Sequence, residues 1–197
     1  MQNSSIYDKL DLLEKDLQGW NSNAPIFRKL IEEIKPKTII EVGTWKGASA
    51  IHMANICKEL GLETKIYCID TWLGAEEFWT NPTKDRDLMR KNGYPQVYYQ
   101  FLSNVVHEGV QNMIIPIPTT STIGARLVPD ADLIYIDASH SFRDVVLDIE
   151  AYKHKAPVLF GDDYGNSVFE VKEAVDAVLP DAEIIDNWFW IWRKLQS

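Results

Sequence analysis

Cysteine is scarce in this chain: Cys57 and Cys68 are the only two, and no Cys-x-x-Cys pair occurs. That scarcity excludes a disulfide framework and a cysteine-based zinc site, and it suits two buried thiols in a reducing compartment. Positive charge is also in short supply. Lys and Arg number 20 against 29 Asp and Glu, a net charge of −9. This argues against nucleic acid as a partner, because phosphate binding needs a basic surface. Plain solubility accounts for the acidity. Long apolar runs are missing, so no segment has the length to cross a bilayer. The opening residues, MQNSSIYDKLDLLEK, carry charge throughout and lack the apolar core of a secretory leader. A cytoplasmic protein is the expectation. Repeats and low-complexity tracts are absent as well. What remains is ordinary for a folded protein, with 46% hydrophobic and 25% charged residues. A length of 197 residues suits one domain whose sheet is covered on both faces.

The pattern alternates strand and helix. Ile6, Leu10, Leu13 and Leu17 fall on one helical face, which predicts a helix within an N-terminal helical segment over 1–35. Pro25 suits the first turn of a second helix that ends near Ile34. Strands are predicted at Thr38–Val42, Lys65–Asp70, 112–118, 131–137 and 157–161. The helix after the first strand runs to Leu60, with Gly61 as its C-cap. Ser141 with Asp144, and Ser167 with Glu170, have the Ser-x-x-acid form of a capping box, each followed by an apolar stripe. A tight turn at Asp186-Asn187 forces the last strands, Glu183–Ile185 and 189–195, into an antiparallel pair. About 40 residues separate the second and third strands, too many for a plain crossover. Within them, residues 73–96 are rich in aromatic, charged and turn residues. They read as an insertion above the ligand edge, a lid or substrate-recognition element.

Residues 38–49 read TIIEVGTWKGAS. A strand runs into Gly43, Thr44, Trp45, Lys46 and Gly47 and then directly into a helix. Such a turn brings bare backbone N–H groups to a ligand at the carboxyl edge of a parallel sheet. The G-x-x-x-G spacing, with Glu41 ahead of the first glycine, departs from the G-x-G-x-x-G of dinucleotide enzymes. It points to S-adenosylmethionine and away from NAD.

Ligands of such sheets bind beyond the strand ends, and every predicted parallel strand ends in polar residues. Asp70 is placed to accept hydrogen bonds from ribose hydroxyls, a helix cap or turn being the plainer alternative. Thr119, Thr120 and Ser121 follow the third strand. Asp137 would meet Asp162 and Asp163 at strand ends ~4.8 Å apart. Carboxylates so crowded raise one another's pKa unless a cation intervenes, and their oxygens suit Mg²⁺, Ca²⁺ or Mn²⁺. Turn-capping or water-binding aspartates are the alternative. His140, just after Asp137, is placed as a neutral imidazole able to remove a hydroxyl proton. His52, His107 and His154 read as surface or helix residues.

Four segments carry a resemblance: Glu41-Val42-Gly43-Thr44-Trp45-Lys46-Gly47-Ala48-Ser49, Ile69-Asp70-Thr71-Trp72, Ile136-Asp137-Ala138-Ser139-His140-Ser141-Phe142 and Gly161-Asp162-Asp163-Tyr164. Together they resemble a class I S-adenosylmethionine-dependent methyltransferase, of the small group that includes macrocin-type and catechol-type O-methyltransferases. The resemblance spans from about Trp20 to the C-terminus. It implies a Rossmann-like α/β fold in a single domain over 1–197. The sheet would be mostly parallel and seven-stranded, in the order 3-2-1-4-5-7-6 with the last strand antiparallel and helices on both faces. The resemblance implies that Glu41, Gly43 and Ser49 hold the methionine end of the cofactor, that Asp70 holds the ribose, and that Trp72 and Ser121 flank the adenine. Thr44, Gly47, Thr71 and Asp137 complete the expected cofactor set.

In catechol-type relatives an aspartate and an Asp-Asn pair bind Mg²⁺. The matching positions here are Asp137, Asp162 and Asp163. Their catalytic lysine falls on His140, so Asp137 and His140 are the implied catalytic pair. The implied cofactors are S-adenosyl-L-methionine and a divalent cation such as Mg²⁺. The implied partner is a small-molecule acceptor, a sugar, phenol or similar hydroxyl compound, with no nucleic acid and no membrane; a homodimer stays open. Three rivals stand beside this reading. They are a non-catalytic S-adenosylmethionine-binding sensor or partner protein on the same fold, an NAD-dependent oxidoreductase, and a sugar- or phosphate-modifying enzyme.

Overall fold

The computed structural model describes residues 5–195 of the chain. Strands and helices alternate in the order α1 (Pro25–Ile34), β1 (Thr38–Val42), α2 (Ala48–Glu59), β2 (Lys65–Asp70), α3 (Glu76–Thr80), a 3-10 turn (Asp85–Leu88), α4 (Val97–His107), β3 (Ile114–Pro118), α5 (Ser121–Leu127), β4 (Leu133–Ile136), α6 (Phe142–Tyr152), β5 (Val158–Gly161), α7 (Val171–Val178), β6 (Glu183–Ile185) and β7 (Phe189–Arg193). The strands form one seven-stranded sheet in the order β3-β2-β1-β4-β5-β7-β6. Strands β3, β2, β1, β4 and β5 pair in parallel, and β7 runs antiparallel to both β5 and β6. This is the order and orientation expected of the methyltransferase-type sheet.

Both faces of the sheet are covered, so its central strands are buried throughout, as parallel strands must be. Alternation along each strand sorts the side chains into two layers. Ile39, Cys68, Tyr135 and Phe160 face the layer of α1, α2 and α4. Ile40, Val42, Ile134 and Leu159 face α6 and α7. Cys57 and Cys68 are buried free thiols, as their scarcity implied. The closing hairpin turns through Asp186 and Asn187, both at positive φ, which matches the twist of the strands they join.

Two expected elements take another form. Residues 5–24 contain no helix despite the spacing of Ile6, Leu10, Leu13 and Leu17. The segment is instead a strap whose backbone is satisfied by side chains of α4. Ser103 Oγ accepts from Leu13 N at 3.1 Å, Asn104 Oδ1 from Asp16 N at 3.0 Å, and Gln100 Nε2 donates to the Glu14 carbonyl at 2.8 Å. Backbone groups paired in this way no longer need a helix. Residues 1–4 of the expected helical segment, and 196–197 at the other end, lie outside the described residues.

The second capping box does not form either. Ser141 caps α6, accepting from Asp144 N at 3.3 Å. Helix α7, however, begins only at Val171, with no side-chain cap. Glu170 Oε2 turns instead to Phe142 N at 2.9 Å and ties the two helix starts together.

Candidate active site

The carboxyl ends of β1, β2, β4 and β5 meet at one edge, and the turn after β1 is its centre. Gly43 lies at φ 86° against the main chain of Asp137, where a Cβ would come within 2.1 Å of the Asp137 carbonyl oxygen. Gly47 shares the same φ and caps α2. Only glycine meets both demands, close approach and a left-handed backbone. The turn's N–H groups are not bare, as the sequence pattern suggested. Gly43 N donates to Ile69 O and Gly47 N to Thr44 O, both at 2.9 Å. Asp70 Oδ2 accepts from Thr44 N at 2.9 Å and Trp45 N at 2.8 Å, and Oδ1 accepts from Trp72 N at 2.7 Å. Asp70 is thus the clasp of the glycine turn. Burial raises its pKa, and these backbone donors hold the rise back.

Beneath the turn, Glu41 is completely buried, with Ser49 Oγ donating to Oε1 at 2.6 Å. Its other oxygen, Oε2, has no hydrogen-bond partner, and neither has Thr44 Oγ1. Burial pushes the Glu41 carboxyl up to about 8, opposed by the Ser49 hydroxyl and reinforced by the charges of Asp137 and Asp70. A buried carboxyl oxygen without a donor is costly to leave unpaired.

Trp72 does not flank this edge. It is only 2% exposed, donates from Nε1 to the Trp45 carbonyl at 2.7 Å, and packs on Tyr98 and Phe101. A left-handed backbone, φ 52°, turns its ring into the core, where it supports the turn from below. Thr71 is exposed, and its hydroxyl accepts from Leu73 N at 3.2 Å. Ser121 opens α5, partly exposed, with its carbonyl accepting from Tyr152 OH at 2.7 Å.

The second half of the edge is acidic. One donor atom each from Asp137, His140 and Asp163 lie within 4.8 Å of one another. His140 Nε2 is 3.1 Å from Asp163 Oδ2 and 3.9 Å from Asp137 Oδ1. Burial lowers the imidazole pKa, but hydrogen bonds and charge from Asp137 and Asp163 outweigh it and raise the value to about 9. His140 is therefore an imidazolium near pH 7 in this arrangement, not the neutral base that its position suggested. Asp162 does not join the group. Its carboxylate accepts from Asn21 Nδ2 at 3.2 and 3.5 Å and from Asp163 N at 2.7 Å. Burial first, and then the Asp137 charge, pushes Asp162 up to about 7.

Two contributors had no assigned role in the sequence reading. Lys46, inside the glycine turn, is 2% exposed, and its ammonium donates to Asp16 Oδ2 and Gln18 Oε1 of the strap, both at 2.6 Å. Its position between the two glycines was the only signal available. Asn21 gave none, because its partner Asp162 is 141 residues away. Residues 73–96 sit beside the turn, with Phe78 stacked on Trp45 at 4.5 Å between ring centroids. A wider groove of about 410 Å³ lies between α1 and α2, lined by residues such as Arg28, Lys29 and His52, and includes none of the strand-end residues. Among the described residues, no helix is long and apolar enough to cross a membrane.

Comparison with known proteins places the fold and the family. In fold, the chain resembles the O-methyltransferase NovP (TM-score 0.68, 16% identity, 89% of this chain and 80% of that one). It also resembles TomG of Streptomyces achromogenes, solved with S-adenosylmethionine (TM-score 0.60, 12% identity, covering 89% and 81%). An O-methyltransferase of Bacillus cereus, solved with S-adenosylhomocysteine, aligns with a TM-score of 0.60 at 12% identity over 93% of this chain and 84% of that one. At these identities the likeness is one of fold. A curated relative, uncharacterized protein y4gI of Sinorhizobium fredii, is 26% identical over 172 residues, which is 82% of this chain but 17% of that protein. The chain therefore spans less than a fifth of that relative's length. A family model for the methyltransferase domain matches residues 40–164, from the glycine turn through the β5 end. That match takes in well over half of the chain, which belongs to the methyltransferase-domain family.

Proposed function

We propose that the chain is an S-adenosylmethionine-dependent O-methyltransferase acting on a hydroxyl of a small molecule. The observation that carries the reading is Glu41. Its buried oxygen without a donor, next to Ser49 and below the glycine turn, fits the ammonium of a methionine moiety. S-adenosylmethionine, when bound, supplies an activated sulfonium methyl that passes to the acceptor oxygen and leaves S-adenosylhomocysteine behind.

The chain's own residues then have separable tasks. Asp70 holds the turn with three hydrogen bonds, leaving about one of its four lone-pair positions for a ribose hydroxyl. Ser49 orients Glu41. Trp72 serves from below by fixing Trp45, and Ser121 and Thr71 border the adenine side from the exposed strand ends. Asp137, hydrogen-bonded by Tyr135 OH at 3.0 Å, is the carboxylate that takes the acceptor's proton. Without a cation, His140 orients that carboxylate as an imidazolium, and a bound cation would take the place of the Nε2 proton. Aligning the hydroxyl and assisting its deprotonation are the contributions required of the protein. Asp137, His140 and Asp163 offer two carboxylates and an imidazole to one point, a donor set that fits a divalent ion, and such an ion would lower the pKa of the acceptor hydroxyl. Residues 73–96 close the turn side of the site through Phe78.

The test is Asp137→Asn, assayed with radiolabelled S-adenosylmethionine against a panel of phenolic and sugar hydroxyls. Transfer should fall by about 100-fold or more while S-adenosylhomocysteine affinity by calorimetry is unchanged. An equal fall in cofactor affinity would remove Asp137 from the acceptor side. Failure of the unaltered protein to bind S-adenosylmethionine would sink the reading.

A further inference from the structure

Each side chain of the β4–β5 cluster is held by a neighbour that leaves one donor atom turned toward the other two. Tyr135 OH donates to Asp137 Oδ2, so Oδ1 is the oxygen that faces His140. Asn166 Nδ2 donates to Asp163 Oδ1 at 3.4 Å, and Oδ2 is left 3.1 Å from His140 Nε2. The His140 ring is stacked on Phe169, with centroids 3.9 Å apart and planes 19° from parallel. Its carbonyl accepts from Glu170 N at 3.0 Å. Outer contacts of this kind orient ligating groups in metal sites. Asp162 is arranged in the opposite sense. Both of its oxygens are already engaged, by Asn21 of the strap and by the backbone N–H of Asp163.

We propose that Asp137, His140 and Asp163 form a divalent-cation site in which the imidazole Nε2 is a ligand, with Asp162 an outer carboxylate positioned by Asn21. This differs from the all-oxygen set of Asp137, Asp162 and Asp163 that the sequence resemblance implies. The difference selects the metal. A nitrogen donor beside two carboxylates favours Mn²⁺ and later first-row ions, whereas Mg²⁺ prefers oxygen alone. The inference deepens the transferase reading and rests on it only for what the ion does there.

The experiment is Mn²⁺ titration of the full chain followed by electron paramagnetic resonance, with no acceptor and no turnover. Mn²⁺ should bind at one site about tenfold more tightly than Mg²⁺ in competition, and pulsed spectra should carry imidazole nitrogen modulation. His140→Gln should lose that modulation and weaken Mn²⁺ by about tenfold or more. Asp162→Asn should keep both the modulation and most of the affinity. Absence of Mn²⁺ binding, leaving an imidazolium that merely bridges two carboxylates, overturns the proposal. So does binding without nitrogen modulation, or a loss in Asp162→Asn as large as in Asp163→Asn. If a variant fails to fold by circular dichroism, the spectrum of the unaltered protein still decides. S-adenosylhomocysteine titration in parallel separates the two readings. Intact cofactor binding without Mn²⁺ binding removes only the metal site, and lost cofactor binding removes the transferase reading.

Discussion

Around the glycine turn, Asp70 takes three backbone N–H groups and Lys46 is clamped between Asp16 and Gln18. At the ends of β4 and β5, Asp137, Asp162 and Asp163 stand close together, with the His140 imidazolium set against their charge. The two regions touch along the Gly43–Asp137 backbone contact. The turn is held before any ligand arrives, because the backbone N–H groups of Gly43, Thr44, Trp45 and Gly47 are already paired and its glycines are closely packed. The acidic edge is held in tension by like charges, which a proton or a cation relieves. On the proposed reading, preorganisation lies on the cofactor side and stored repulsion on the acceptor side.

The harshest way to break that arrangement is at its seam. Gly43→Ala would place a methyl group on the Asp137 carbonyl at a φ that disfavours alanine. We expect loss of the folded state, or destabilisation above ~4 kcal/mol, in urea unfolding followed by circular dichroism.

Glu41→Gln tests the turn side alone. The raised Glu41 pKa means that the folded state holds a proton that the unfolded chain releases earlier. This stability is fully present below the ordinary value of 4.5 and is lost as pH rises through about 8. The total over that window is roughly 5 kcal/mol. The glutamine variant should lack this loss, so its stability relative to the unaltered protein should improve between pH 5 and pH 9. Its S-adenosylmethionine affinity should nevertheless fall, because the charge for the ammonium is gone. A variant whose pH dependence matches that of the unaltered protein would show that Glu41 is not the titrating group.

Lys46→Met tests how far the strap supports the turn. It removes a buried cation but keeps the apolar stem, and leaves Asp16 half-exposed to find water. We expect about 2 kcal/mol of destabilisation, together with faster proteolysis within residues 10–20. Asn21→Ala, which releases Asp162, is the mildest. Thermal stability should fall by about 1 kcal/mol or less, with the turn's cofactor affinity untouched. If Asn21→Ala weakened cofactor binding, the two regions would be one cooperative unit and the contrast between them would fail.

Much of this was legible beforehand for reasons that are local. Helix α1 (Pro25–Ile34) and strands β1 (Thr38–Val42) and β2 (Lys65–Asp70) occupy the residues that proline, glycine and apolar periodicity predicted. The Ser141 cap formed because its partner, Asp144, is three residues away. The Ser167 box failed because Glu170 found a partner on α6. The helical spacing of Ile6 through Leu17 was misleading because α4 offers that backbone a rival set of hydrogen bonds. Trp72 stood at the right strand end, but its positive φ, invisible in the sequence, turned it into the core.

By itself, then, the sequence determined the alternation of strand and helix, the glycine turn after β1, and the acidic character of the β4 and β5 ends. Those features depend on residues near one another in the chain, where side-chain period and backbone freedom act directly. Which groups meet across the site was decided only by the tertiary structure. It bound Lys46 to Asp16 over 30 residues and Asn21 to Asp162 over 141, and it set His140 rather than Asp162 between Asp137 and Asp163. Such partners are chosen by the packing of the strap and the β5–α7 loop over the sheet edge, where distance along the chain carries no information.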